Sequence, residues 1–494
     1  MKCPQTYQQK AMPLTLFSLL FLGVFAITGT NVIFANSQDD TITDKDITIA
    51  TESRFIVDKS VPVNAIDVST KNGIVTLTGK VNTILAKDRA TRITENIRGV
   101  RAIVNRMKVV PLVQKDDPAI VLDVEAALAK DPATDSYEVT VASHNGTVTL
   151  HGVVDSWQEK QLSAQVAKSV KGVKEISNQL KIRPAAIRRD SEIKAEIMRM
   201  LQADVFLDDQ LIGVMIRNGH VTLTGVVGSL AEKNSAFTDA WVSGVISVNT
   251  EPLKVEWWAK DRMRREPGDV IRSNEGIKQA IELALSYDPR INQNSIEVDV
   301  KNGIVTLRGI LRNAQSKSAA QMDAENTVGV FLVKNLIKVR PPEQLSDSEL
   351  ESQVRQALAN NALVDRYDIN VTGRHGQIFL DGYMDSVFEI SQAVKTAEKV
   401  SGVVEVINQL IYTPHHQHKS DEALWQELRQ AFWWDPHLYD QDIRVSIEDG
   451  HVTLTGTVPT VHASKKAIQI SKDTGAKKVT SRLRIQHAPD FFPA

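Results

Sequence analysis

Thiols are almost missing from this chain. Its 494 residues include one cysteine, Cys3, which lies at the very start. With a single cysteine there is no internal disulfide and no cysteine cluster for a metal, and beyond residue 3 there is no thiol nucleophile. Charge of one sign is missing too. The chain carries 58 basic and 60 acidic residues, and beyond residue 35 the balance is 56 to 60. Holding nucleic acid nonspecifically needs clustered positive charge, so no nucleic acid partner is expected. No Gly-x-Ser-x-Gly, His-Glu-x-x-His or Walker-type string appears, and among many carboxylates no pair stands out. The chain therefore reads as a non-enzyme without cofactor or metal. At 42% apolar and 24% charged it is neither disordered nor a multi-span membrane protein. Its length is too great for one core.

The one long apolar run lies near the amino terminus. Lys2 and Lys10 precede mostly apolar residues from Met12 to Ile27, and Val32-Ile33-Phe34-Ala35 leads into the polar Asn36-Ser37-Gln38-Asp39-Asp40. This layout predicts a signal peptide over residues 1–35, cut after Ala35, and export to the periplasm. An uncleaved anchor is the alternative, because the run is about long enough to span a bilayer.

Internal repetition is the strongest feature. A residue-Gly turn begins each of six strings, from Asn72-Gly73-Ile-Val-Thr-Leu-Thr-Gly79 to Asp449-Gly450-His-Val-Thr-Leu-Thr-Gly456. The turn glycines are Gly73, Gly146, Gly219, Gly303, Gly376 and Gly450, separated by 73, 73, 84, 73 and 74 residues. A second glycine follows six residues later each time. A third follows after 25 or 26: Gly99, Gly172, Gly244, Gly329, Gly402 and Gly475. Glycines so spaced do not match phosphate-cradling loops; they serve turn geometry.

One unit can be read from its residues. Ile277, Ala280, Ile281 and Ala284 share one helix face. Ile296, Val298 and Val300 alternate as a half-buried strand. Asn302-Gly303 is a two-residue hairpin turn, which sets Val300 opposite Val305 and Val298 opposite Leu307. In the sixth unit the same rule sets Ile447 opposite Val452 and Val445 opposite Leu454. Ser156-x-x-Glu159, Ser229-x-x-Glu232 and Ser386-x-x-Glu389 are capping boxes opening a second helix. Leu162, Val166 and Val170 form its stripe, Gly172 ends it, and a final strand runs from Val173 to Ile182. Ser346-x-x-Glu349, with Leu345 and Leu350 as a staple, opens the fifth unit's first helix. The first unit's first helix, Asp44 to Ser60, lacks a clean stripe.

The fold class is thus α+β, with six tandem αββαβ two-layer sandwiches after the signal. The spans are 44–112, 117–184, 189–256, 273–341, 346–414 and 420–487, with a Trp/Arg-rich linker at 257–272. Strand order stays open. Short linkers, often marked by proline (Pro111, Pro184, Pro341, Pro414), suggest that neighbours pack into a quasi-linear array.

The unit resembles the BON domain, a family named from bacterial osmotic-stress and nodulation proteins. The strings that carry the likeness are Asn302-Gly303-Ile304-Val305-Thr306-Leu307-Arg308-Gly309, then Gly329-Val330 and Val333-Lys334-Asn335-Leu336. The likeness extends over everything after residue 45. It implies periplasmic or outer-membrane residence, support of the envelope under osmotic stress, and attachment to phospholipid surfaces or envelope proteins. It supplies no catalytic residues. The fifth copy departs with His375-Gly376 and Phe379. The sixth has Gly475-Ala476 and Val479-Thr480-Ser481-Arg482-Leu483, without the asparagine.

Two stretches invite a functional reading. His415-His416-Gln417-His418 sits between units, but no carboxylate shell accompanies it, so no metal is assigned. The longest period contains Val255-Glu256-Trp257-Trp258-Ala259-Lys260-Asp261-Arg262-Met263-Arg264-Arg265. Tandem indoles beside cations suit a membrane interface, which makes Trp257, Trp258, Lys260, Arg262, Arg264 and Arg265 candidates for binding anionic phospholipid. The structural alternative is that these tryptophans cover a seam between the third and fourth units. Trp433-Trp434 reads as core of its helix, and Trp157 as exposed. Two functions follow: a binder of phospholipid membrane surfaces, or a periplasmic chaperone or protein-interaction scaffold.

Overall fold

The computed structural model describes residues 42–134, 139–183, 188–257, 259, 273–413 and 419–486. The expected signal peptide lies outside these residues, as do the histidine cluster at 415–418, Pro184 and Pro414.

Six modules share one plan. Each opens with a 14-residue helix: Asp44–Val57, Asp117–Lys130, Asp190–Ala203, Asn274–Tyr287, Asp347–Asn360 and Asp421–Trp434. The one without an evident stripe still has an inner face, burying Ile47, Ala50, Thr51 and Phe55 below a Thr43–Asp46 capping box. A hairpin follows, then a second helix and a third strand. The hairpin's second strand is central. It pairs antiparallel with the first strand and parallel with the third. This fixes the order left open by the sequence.

The turns explain the register. Six residues other than glycine, one at the head of each turn, sit at φ of 50° to 53°, and each is followed by a glycine of positive φ. That conformation matches the twist of paired strands and admits Asn, Asp or His before Gly. Val300 therefore meets Val305, and Val298 meets Leu307, all buried. Ile447 meets Val452 and Val445 meets Leu454 in the sixth module. The second glycine has a steric reason as well. A Cβ on Gly79 would lie 2.0 Å from the carbonyl oxygen of Ala65, and on Gly309 2.0 Å from that of Ser295.

The third strand is not always one piece. In the second module it splits into Glu175–Asn178 and Lys181–Ile182. Modules one, three and four split likewise, whereas Glu405–Tyr412 and Lys478–Ile485 run unbroken. In the first three modules a lysine of the second helix reaches the carbonyl near the break: Lys87 to Met107, Lys160 to Leu180 and Lys233 to Leu253, at 2.6 to 2.8 Å. Modules five and six have Ile390 and Ser464 at that helix position.

The modules do not form a linear array. The chain folds back, so that the first module meets the sixth, the second the fifth and the third the fourth. Arg98 N–H donates to the Trp434 carbonyl at 3.0 Å, Ala362 N–H to that of Ser169 at 2.9 Å, and Val328 N–H to that of Ala203 at 2.8 Å. Each seam joins the end of one module's second helix to the end of its partner's first helix. Modules one to three also touch one another, through Lys168–Asp88 at 2.7 Å, Trp157 stacked on Trp241 at 5.6 Å, and Arg101–Glu256 at 3.0 Å. Modules four to six do so through Ser318–Glu398, Lys465–Glu325 and the packing of helix Val387–Glu398 on Val461–Asp473. Further contacts join one to five (Arg89 over Phe388, 4.7 Å) and three to six (Phe206 against His462, 4.3 Å). The pattern is that of two stacked triangles, 1-2-3 on 4-5-6. Neighbours in sequence do pack, but closure comes from partners far apart in the chain.

Candidate functional site: seams and outward sheet faces

A side-chain oxygen at the start of the first helix, a carboxylate in five modules and an amide in the fourth, ties each hairpin to its helix. Asp44 accepts the N–H groups of Asn72 and Gly73 at 2.7 and 2.8 Å, and Asp117, Asp190 and Asp421 repeat the bond pair on their own turns. Asp347 reaches Gly376 N–H, and Asn274 takes the role toward Asn302. The Ser143 hydroxyl and these N–H donors hold the Asp117 carboxyl below the usual range. The acid or asparagine stands 29 residues before the turn glycine in every copy, a spacing visible in the sequence but not used there.

The expected capping boxes are half present. Ser156, Ser229 and Ser386 accept from the N–H three residues on. Glu159 and Glu232 instead reach back one residue further, to the N–H of Asp155 and Gly228. Ser346 and Glu349 form the complete box.

Tryptophans prove to be seam residues. Trp434 is buried as expected, but it joins the core of the first module. Trp157, expected to be exposed, is half-buried against Trp241 and Phe237 of the third. Arg98, 6% exposed, is a residue the sequence did not single out. Its guanidinium lies 3.8 Å from the Tyr439 ring, 4.6 Å from Trp433 and 5.4 Å from Trp257. It also donates to the Trp433 carbonyl at 3.2 Å. Trp257 is thus half-buried, next to the seam of modules one and six, not three and four. Trp258, Lys260, Arg262, Arg264 and Arg265 lie outside the described residues.

Acids cluster where helix ends meet. Burial and Asp204 push the Asp239 carboxyl well up, and burial and Asp288 do the same to Asp323. Asp473 is pushed up to about 6 by burial and then by Asp58 across the seam of modules one and six. Burial lowers His462 to about 4. None of these groups lines the hollow between modules two and four. That open hollow, of about 400 Å³, is lined by Pro132, Ala133, Thr134, Asp155, Ser156, Glu159 and Pro289. Its acids are engaged, Asp155 with Arg183 at 2.9 Å and Glu159 as a helix cap. Among the described residues no group of histidines and acids could hold a metal ion, and no helix is long and apolar enough to cross a membrane.

What the assembly offers outward is sheet. Helices cover one face of each sheet, and the other face is open. On the open faces Ile74, Met215, Ile310, Leu336, Tyr383 and Ile411 are exposed, interspersed with Lys71, Arg217, Arg308, Lys334 and Lys338. Such flat, mixed surfaces suit binding to an extended partner rather than turnover of a small molecule.

The BON domain model matches residues 43–111, 116–184, 189–256, 273–341, 346–414 and 420–487. The chain is 33% identical over 143 residues to Osmotically-inducible protein Y of Escherichia coli, covering 28% of this chain and 71% of that protein. It is 31% identical over 140 residues to Outer membrane lipoprotein DolP of Haemophilus influenzae, covering 28% and 72%. A solved C-terminal domain of CdsD, the structural protein of the type III secretion system of Chlamydia trachomatis, matches 46% of this chain and all of its own at 17% identity. Its TM-score of 0.13 carries no weight.

Proposed function

This chain belongs to the BON domain family, six modules in one folded body, and from that premise we propose that it is a non-enzymatic binding protein of the bacterial cell envelope. In this reading it is exported to the periplasm, holds anionic phospholipid surfaces and supports the envelope under osmotic stress. The names of its relatives, an osmotically inducible protein and an outer membrane lipoprotein, support that setting. The observation that carries the reading is the outward turn of the sheets, with apolar side chains and cations mixed on open faces. Several weak faces on one body gain by effective concentration, so together they hold a surface that one would release. The stretch Trp257, Trp258, Lys260, Arg262, Arg264 and Arg265 is the proposed anchor: indoles favour the headgroup level and cations favour anionic lipid.

The test is sedimentation with vesicles. The chain is expected to pellet with anionic liposomes at low salt and to pellet less when Trp257, Trp258, Arg264 and Arg265 are replaced by alanine. No pelleting at low salt removes the reading. A scaffold or chaperone is the second reading, favoured by first strands such as Ile212–Arg217, which pair on one side only. Unpaired edges can accept another chain. It predicts suppressed aggregation of an unfolded envelope protein in the absence of lipid.

A further inference from the structure

The sixth module carries a feature that its fold does not require. Its third strand, Lys478–Ile485, is an edge strand parallel to the central one. Val479, Leu483 and Ile485 turn inward and pack on the module's core. Lys478, Thr480, Arg482 and Arg484 alternate outward and are exposed. The strand holds no acid. The fifth module's third strand, Glu405–Tyr412, is equally long and unbroken, yet it carries Glu405 and no cation. The backbone is therefore the same with or without the charges.

The cations are uncompensated. Among the described residues Lys478, Arg482 and Arg484 make no ion pair, and Lys477 stands exposed beside them. On the first strand of the same sheet, Arg444 lies two strands from Arg482 through the shared partner Thr455. It pairs with Asp442 at 3.1 Å, which leaves Glu448 as the other acid of that strand. At about 3.3 Å of rise per residue, alternate side chains stand about 7 Å apart in one plane. Such a flat row fits a flat anionic surface better than a single phosphate. Guanidinium groups suit phosphate because their forked N–H donors bond two oxygens at once.

Location supplies a second argument. Trp257 shares the Arg98 guanidinium with Trp433 and Tyr439 of the sixth module. Tyr439 stands three residues before the first strand of this sheet, Asp442–Glu448. Trp257 is thus placed beside the module that bears the cationic strand.

We infer that the open sheet face of the sixth module is a docking surface for an anionic phospholipid bilayer, engaged through Lys478, Arg482 and Arg484. This rests on the phospholipid reading above and gives it a place. The experiment uses the full chain and vesicles of phosphatidylglycerol with phosphatidylethanolamine, beside vesicles of phosphatidylethanolamine alone. The triple variant Lys478→Glu, Arg482→Glu, Arg484→Glu is expected to lose affinity for the anionic vesicles by more than about a hundredfold, since removing each cation alone costs roughly fivefold. The same replacements by glutamine should lose slightly less. They serve as the test if the charge-reversed chain fails to fold by circular dichroism. Reversing Glu175 and Glu405, exposed acids on the third strands of the second and fifth modules, to lysine should not mimic the loss. Wild-type affinity in the folded triple variant overturns the site and leaves the phospholipid reading standing. Failure of the unaltered chain to bind anionic vesicles removes both. Equal binding of the unaltered chain to the two vesicle types contradicts the electrostatic site alone.

Discussion

Two seams of this molecule occupy equivalent places and solve one problem in different ways. Where modules two and five meet, Asn361 bridges to Val170, and its side-chain N–H donates to the Thr396 hydroxyl at 2.9 Å. Where modules three and four meet, Asp204 bridges to Thr327 and faces Asp239. The same backbone join thus holds a neutral pair in one case and an acid pair in the other. Their far sides differ as well. Buried Asp131 meets Lys399 across the seam at 2.9 Å, while Asp288 is met within its own module by Arg290 and by a second acid, Asp323. A buried charge must be paired or neutralised. One seam pairs its acid, and in the other burial and a second acid push a carboxyl up, so the two should answer pH differently.

The largest effect is expected from Lys399→Met. It strands the Asp131 carboxylate, 2% exposed, without its cation. Loss of a fully buried partner costs about 3–5 kcal/mol; because Lys399 is nearly a third exposed, water compensates part, leaving about 2 kcal/mol. Chemical denaturation at neutral pH reads this. No shift in the midpoint would mean that the ion pair does not hold the seam.

A subtler change moves one seam's chemistry into the other. The double variant Asp204→Asn, Asp239→Thr copies the fifth module's pair into the third. The Asp239 pKa is raised in the fold, so its contribution is fully present below the ordinary carboxylate range and is lost as pH rises through the raised value. The double variant lacks that loss. Its melting temperature relative to the parent should rise with pH and match or fall below it in acid. A difference independent of pH would contradict the raised carboxyl. Asp473, raised to about 6, adds a loss of the same sign between about pH 4 and 6 in both chains, and so cancels from the comparison.

How much of this was open to reading follows from range. The hairpins were legible because an Asn-Gly turn fixes the register of its own two strands, and Val300 needed nothing distant to find Val305. The six modules were legible because each buries its own stripe, as Ile277 and Ile281 do. Seams were not. Arg98 looks like a surface charge in its own module and becomes buried only under rings of the sixth module and under Trp257. Trp434 signalled burial correctly, but the hydrophobic pattern of a helix does not say whose core it enters. The quasi-linear expectation failed for the same reason. Short linkers limit where a neighbour sits, but not whether the second half of the chain returns upon the first.

That return is the central claim, and small-angle X-ray scattering measures it most directly. A compact body of this chain length has a radius of gyration of about 23 Å, and six modules strung in line have about twice that. A value in the low twenties, for a monomer without the first 35 residues, is the predicted result. A value near 45 Å, with a maximum dimension to match, would contradict the closed arrangement and every seam built on it.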